Sequence, residues 1–209
     1  MFGTHDLALF VVSGLLLNVT PGPDTLYIVG RGTTQGSRAG AVAALGIGAG
    51  IFVHIAAAAA GLSALLAASS SALTAVKLAG AAYLVCVGLS LLRSPIASTA
   101  GARAPAPASL RTVFVQGFFT NVLNPKVALF YLAFLPQFVE ADAPSKGAAL
   151  LLLGAIFNLN GTLWNLFVAW SSARIGGGVM RNTRIAAGFS RCVGGLFIVL
   201  GVRLALSRN

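Results

Sequence analysis

Asp24 and Lys126 are the two residues of this chain most able to do ionic chemistry in a place where charge is out of place. Asp24 closes the run Pro21-Gly22-Pro23-Asp24 within "NVTPGPDTLY", and Lys126 follows Pro125 within "NVLNPKVALFY". Both stand in long apolar stretches, where a buried charge costs about 3 kcal/mol on the bilayer-insertion scale. Such a pair has a bland use and a chemical one. The two can neutralise each other, or Asp24 can simply cap the second half of a broken helix. Alternatively they face a polar cavity and hold a ligand, which is the favoured reading because ionisable groups inside a membrane are functional by default.

The prolines bear on that choice. Proline removes an amide donor and clashes with the preceding turn, so Pro21, Pro23 and Pro125 are expected to open two helices and free backbone carbonyls. Open backbone at membrane depth survives only where protein covers it or where it lines a cavity. Asn18, Asn121 and Asn124 can supply side-chain partners for the freed groups, and Gly22 lets a substrate or another backbone come close.

The elements that must carry these residues follow from composition. Of 209 residues 57% are hydrophobic and only 9% charged, with a mean hydropathy of +0.89. An ordinary soluble domain carries about 25% charged residues, so this is a membrane protein. A crossing helix needs about 20 mostly apolar residues. Stretches 40–68 and 147–173 satisfy this without a charge, while 7–29, 71–92 and 112–139 are each interrupted by one, at Asp24, Lys77 and Lys126. A sixth, 186–206, holds Arg191 and Arg203, whose stems can snorkel outward. The predicted fold is therefore an all-α polytopic membrane protein of six transmembrane helices. The first stretch lacks a basic n-region and runs into Pro-Gly-Pro, so it reads as helix one and not as a signal peptide.

The net charge of +10 is distributed by loop. Arg31 and Arg38 fall between helices one and two, Arg93, Arg103 and Arg111 between three and four, and Arg174, Arg181 and Arg184 between five and six, whereas the other two loops hold only Lys146. The positive-inside rule places the odd loops in the cytoplasm, with Arg203 and Arg208 dissenting. No loop is long enough for a nucleic-acid patch. The Pro/Ala-rich stretch 93–111 reads as a cytoplasmic linker between a three-helix repeat at 1–92 and another at 112–209. An odd helix count per half puts related halves in opposite orientations, as in inverted-repeat transporters, with Pro-broken helices 1 and 4 meeting at the binding site.

At the level of motifs, "PGPDTLYIVGRGTTQGSRAGAVAALGIGAG" (21–50), "KLAGAAYLVCVGLSLLR" (77–93) and "FVQGFFTNVLNPKVALFYLAFLPQF" (114–138) resemble the lysine exporter family, and within it the homoserine/threonine resistance branch. The resemblance spans nearly the whole chain. It implies an inner-membrane secondary exporter of amino acids or close derivatives, driven by proton motive force. The pattern "LNPKVAL" is closer to exporters of neutral amino acids than to those of lysine and arginine.

An amino acid suits the charge pattern. Its ammonium and carboxylate are costly in a low-dielectric cavity unless both are matched, and Asp24 can take the first while Lys126 takes the second. The candidate binding residues are thus Asp24, Lys126, Asn18, Pro21, Gly22, Pro23, Asn121, Asn124 and Pro125. Asp24 is also a candidate for proton coupling, taking up a proton when substrate leaves. His54, in the middle of helix two, either relays protons or hydrogen-bonds a neighbouring helix. Tyr83, Asn158, Asn160, Trp164 and Asn165 either line the cavity or hold helices together. The Gly46-x-x-x-Gly50 spacing suits close helix contact within one chain or between protomers of a homo-oligomer.

No cofactor or metal site is expected. No lysine follows a glycine, so there is no Walker A motif. Cys86 and Cys192 are isolated, and neither a G-x-S-x-G nor an H-E-x-x-H pattern occurs, so the chain does not read as an enzyme. The expected partners are a small amino acid, protons and membrane lipid. The rival readings are a proton-coupled cation or metal exporter and a structural membrane subunit in which Asp24 and Lys126 merely pair.

Overall fold

The computed structural model describes residues 3–20, 22–68, 70–93, 106–140 and 142–175, and in the C-terminal stretch residues 191, 194–195, 197–199, 201–203 and 205–206. Pro21, most of the 93–111 linker and the basic residues Arg103, Arg181, Arg184 and Arg208 lie outside the described residues. The fold is all-helical apart from one isolated bridge between Thr4 and Val139 among the described residues.

Helix α1, Leu7–Val19, stops where Thr20 turns extended (φ −67°, ψ 118°) ahead of Gly22 and Pro23. Thr20 closes the helix end itself: its amide donates to the carbonyls of Leu16 and Leu17 at 3.2 and 3.1 Å, and its Oγ1 donates to Leu16 O at 2.8 Å. Helix α2, Pro23–Ala68, begins on a proline, which suits the first helical position because its missing N–H would be unpaired there anyway. The first span is therefore two pieces, α1 and the start of α2, as the prolines predict.

The sequence pattern predicts a loop between 29 and 40, and here the structure differs. Helix continues through Arg31 to residue 35, and Gly36 alone leaves helical geometry, at φ 85° and ψ 174°. That backbone falls in the region glycine tolerates best. The chain reverses there, because a Cβ built on Gly40 would lie 3.1 Å from the Cα of Gly32, whereas residues eight apart in one straight helix are about 12 Å apart. Helix α2 is accordingly a hairpin of two limbs, 23–35 and 37–68. Helix α3 follows at Ser70–Arg93.

The second half repeats the broken pattern. Helix α4, Leu110–Val122, is capped by Ser109, whose Oγ accepts from Thr112 N at 3.2 Å, and ends at Leu123. Helix α5, Pro125–Ala133, restarts on Pro125 with Asn124 as its N-cap and runs into a 3-10 turn at Leu135–Phe138. The two pieces meet at 54°. Helix α6 is Lys146–Ile175, and every described residue from 191 to 206 is helical. Among the described residues, Lys146–Arg174 is long and apolar enough to cross a membrane, Pro23–Gly61 passes the same length and composition test but folds back at Gly36, and the bent α4–α5 pair makes a third such unit.

The 37–68 limb packs against α4 and α6 through small residues. A side chain at Gly46 would run into the Phe114 carbonyl, and one at Gly50 would come within 2.7 Å of Phe118 O. The Gly46-x-x-x-Gly50 pair thus serves close contact inside the chain. On the other flank Asn158 of α6 donates to Gly48 O at 3.1 Å.

Two apolar clusters result. An aromatic one gathers Phe10, Phe130, Tyr131, Phe134, Phe138 and Phe157 near the end where His5 N donates to Phe138 O and Glu140 N to Gly3 O. An aliphatic one gathers Ile28, Val29, Ala43, Ala44, Ile47, Val113 and Val168 toward the Gly36 reversal.

Candidate functional site

Between these clusters the two breaks meet. The Asp24 carboxylate accepts from Asn121 Nδ2 at 2.7 Å on one oxygen and from Asn124 Nδ2 at 3.1 Å on the other. Asn124 has a second task, since its Oδ1 caps α5 by accepting from Lys126 N at 3.0 Å. The Lys126 ammonium reaches back the other way and donates to Thr20 O at 3.5 Å. Each break is therefore held by side chains of the other, and the freed Thr20 carbonyl finds a donor as the buried-backbone rule requires. Gly22 makes room for that reach, because a Cβ there would lie 3.7 Å from Lys126 Nζ.

A cavity of ≈ 50 Å³ opens at this junction, lined by Asn18, Thr20, Gly22, Asp24, Asn121, Asn124 and Lys126. At roughly 10–15 Å³ per water position it accommodates several water-sized groups. Asp24 and Lys126 both face it, yet no contact within 4 Å joins them, and the one such acid–base contact among the described residues is His5 with Asp6. They lie close enough to attract each other through space, but share no direct hydrogen bond or ion-pair contact.

The remaining polar atoms sort by sign. A carboxylate has about four acceptor sites and an ammonium three donors. Asp24 has two of its sites used, and Lys126 has one long bond. Asn18 Nδ2 and Asn121 Oδ1 are buried with no hydrogen-bond partner among the described residues. The cavity thus offers spare donor capacity at Lys126 and spare acceptor capacity at Asp24, while the unpaired Asn18 Nδ2 and Asn121 Oδ1 are packed beside Gly161 and Gly50. The rest of its wall is apolar, including Leu17, Ile47, Ile51, Val127, Phe130 and Phe157.

Of the sequence-derived candidates, Asn18, Gly22, Asp24, Asn121, Asn124 and Lys126 come together at this cavity. Pro23 and Pro125 act through the backbone, as the first residues of α2 and α5. Pro21 is outside the described residues. His54 is buried, but it is absent from the cavity wall: its Nε2 donates to Asn121 O at 3.0 Å and its ring stacks on Tyr131. Tyr83 donates to Lys126 O at 3.2 Å, so it also braces the second break. Asn158 is tied to Gly48, and Thr162 donates to its Oδ1 at 3.1 Å. Asn165 of α6 does reach the cavity. Its signal in the sequence was only an amide in a crossing helix.

The pattern described as LysE type translocator matches residues 15–208. An uncharacterized membrane protein of Pseudomonas aeruginosa is 30% identical over 210 residues, covering 97% of this chain and 96% of that protein. A leucine efflux protein of an Enterobacter species is 28% identical over 204 residues, covering 98% and 97% respectively. A leucine efflux protein of Salmonella typhi is 24% identical over 204 residues, covering 98% and 96%. No solved structure matches the chain.

Proposed function

This chain belongs to the LysE type translocator family, and on that premise we propose that it is a secondary exporter of amino acids, a multi-pass inner-membrane protein that binds its substrate as a zwitterion between the two chain breaks. The observation that carries the reading is the separation of Asp24 from Lys126 across one cavity, each held by neutral groups of the other's break. Two opposite charges that neutralised each other would leave nothing for a ligand. Held apart, they match an ammonium at Asp24 and a carboxylate at Lys126.

The substrate side chain is apolar on this reading. Asp24 is the one acid on the cavity wall, and the ammonium uses it, so a lysine or arginine side chain would find no second carboxylate there. Leu17, Ile51 and Phe157 favour an aliphatic group, each buried methylene contributing about 0.8 kcal/mol. The names of the Enterobacter and Salmonella relatives point the same way.

The halves 1–92 and 112–209 act as inverted repeats that rock about this junction. Proton motive force enters at Asp24, which takes a proton as the ammonium departs. His54 is not needed as a relay, because its Nε2 is committed to Asn121 O.

The test is growth and efflux. Cells overexpressing the chain should tolerate a toxic aliphatic amino-acid analogue and release more aliphatic amino acid, and Asp24→Asn at equal membrane abundance should abolish both. Undiminished export by that variant would remove Asp24 from the mechanism.

A further inference from the structure

Arg31 is buried to 4% exposure, and the chain gives it no acid. All four acidic residues, Asp6, Asp24, Glu140 and Asp142, are described, and none lies within ion-pair distance of it. Its guanidinium is held by neutral oxygens from three places. Nη1 donates to Gln35 Oε1 at 2.6 Å and to Ala106 O at 2.8 Å, and Nη2 donates to Gln116 Oε1 at 2.7 Å. Its Nε is buried without a partner, and Tyr27 lies beneath its charge, 5.5 Å from ring centre to Cζ. A guanidinium fork is shaped for bidentate bonding to a carboxylate, which none of these three neutral oxygens supplies.

The place of Arg31 matters as much as its partners. It lies two helical turns from Asp24 on the same limb of α2, on the face turned to α4. Asp24 meets Asn121, Tyr27 meets Val113 O and Gln116, Arg31 meets Gln116, and Gln35 Nε2 meets Ala108 O. A polar seam therefore runs from the cavity between the 23–35 limb and α4 toward the Gly36 reversal.

We propose that Arg31 is a second carboxylate-binding position on the translocation route, a transit site where the substrate carboxylate displaces Gln35, Gln116 and Ala106 as the seam opens. The proposal rests on the zwitterion-export reading above. With the odd loops cytoplasmic, the seam is the entrance and Arg31 receives the carboxylate before Lys126 does. Between transits the three neutral oxygens are placeholders that keep a buried cation satisfied and the seam shut.

The test uses the full chain in everted vesicles, with radiolabelled L-leucine as the probe and binding to the detergent-solubilised protein measured alongside. Arg31→Gln should lower the maximal transport rate at least about tenfold while KM and leucine binding stay within about twofold, since the fork acts in transit and not in the cavity. Arg31→Lys, which keeps the charge and loses the fork, should restore part of the rate. Gln35→Ala and Gln116→Ala, which remove placeholders, should transport at the native rate or faster. Loss of transport in the two glutamine variants equal to that in Arg31→Gln would make Arg31 a structural clasp and overturn the proposal, as would an unchanged rate in Arg31→Gln. A native chain that moves no leucine would instead count against the export reading itself.

Discussion

The two interruptions of this chain use the same materials and are finished differently. At the second, Asn124 caps α5, His54 donates to Asn121 O from the 37–68 limb of α2, and Tyr83 donates to Lys126 O from α3. Three elements beyond α4 and α5 thus have a hand on it, counting the Asp24 contacts from the first limb. At the first, Thr20 closes α1 on itself, and among the described residues the bonds that cross to it, from Asn121 and Asn124 to Asp24 and the 3.5 Å reach of Lys126 to Thr20 O, all come from the second break. The difference assigns roles. On the proposed export reading, the second break is the platform that delivers two amides and a cation, and the first is the side expected to change when substrate arrives.

That contrast can be broken, and the largest lever is Lys126. Lys126→Met keeps the length of the side chain but removes the cation and the donor to Thr20 O, so leucine binding should fall roughly 10- to 100-fold, the ~1.5–3 kcal/mol of a hydrogen bond to a charged group. Titration calorimetry on the purified protein reads it, and native affinity would show that the carboxylate is held elsewhere. Asn124→Ala should come next. It removes both the cap of α5 and one Asp24 contact, so thermal unfolding in detergent should register a loss of about 1–2 kcal/mol together with weaker binding. A loss of stability with full affinity would separate the cap from the site.

His54 sharpens the comparison because its two proposed uses diverge. His54→Gln keeps a donor for Asn121 O but cannot shuttle a proton at neutral pH, so export should persist at close to the native rate in vesicles. Collapse of export with binding intact would return His54 to the coupling path. Thr20→Val should matter least, since it deletes a side-chain bond within α1's own end while the backbone bonds of Thr20 remain, a change of about 0.5–1.5 kcal/mol in unfolding. If it exceeded Asn124→Ala, the first break would be the rigid one.

Much of this was legible in the residues. Proline next to a charge inside an apolar run has few outlets, so the two breaks and the cavity residues Asp24, Asn121, Asn124 and Lys126 could be named before any coordinates. Position along the chain, however, does not reveal who faces whom. Arg31 reads as an ordinary cytoplasmic loop cation, and it is buried because 106–108 and Gln116 supply acceptors that no local pattern advertises. The loop expected at 29–40 fails for a related reason. Tertiary contacts of Arg31 and Gln35 with Ala106 and Ala108, in the segment just before α4, reward helix up to residue 35, and one glycine suffices to turn back. Asn165 and His54 look alike in sequence, as polar residues in crossing helices, and only packing sends one to the cavity and the other to a carbonyl.

The reversal at Gly36 has a mechanical corollary. With Gly32 and Gly40 pressed together and Ala169 of α6 against both, there is no slack through which the 23–35 limb can slide. Any angular change at Gly36 would instead act on a limb that carries Asp24 at its far end, so the carboxylate would sweep the longest arc.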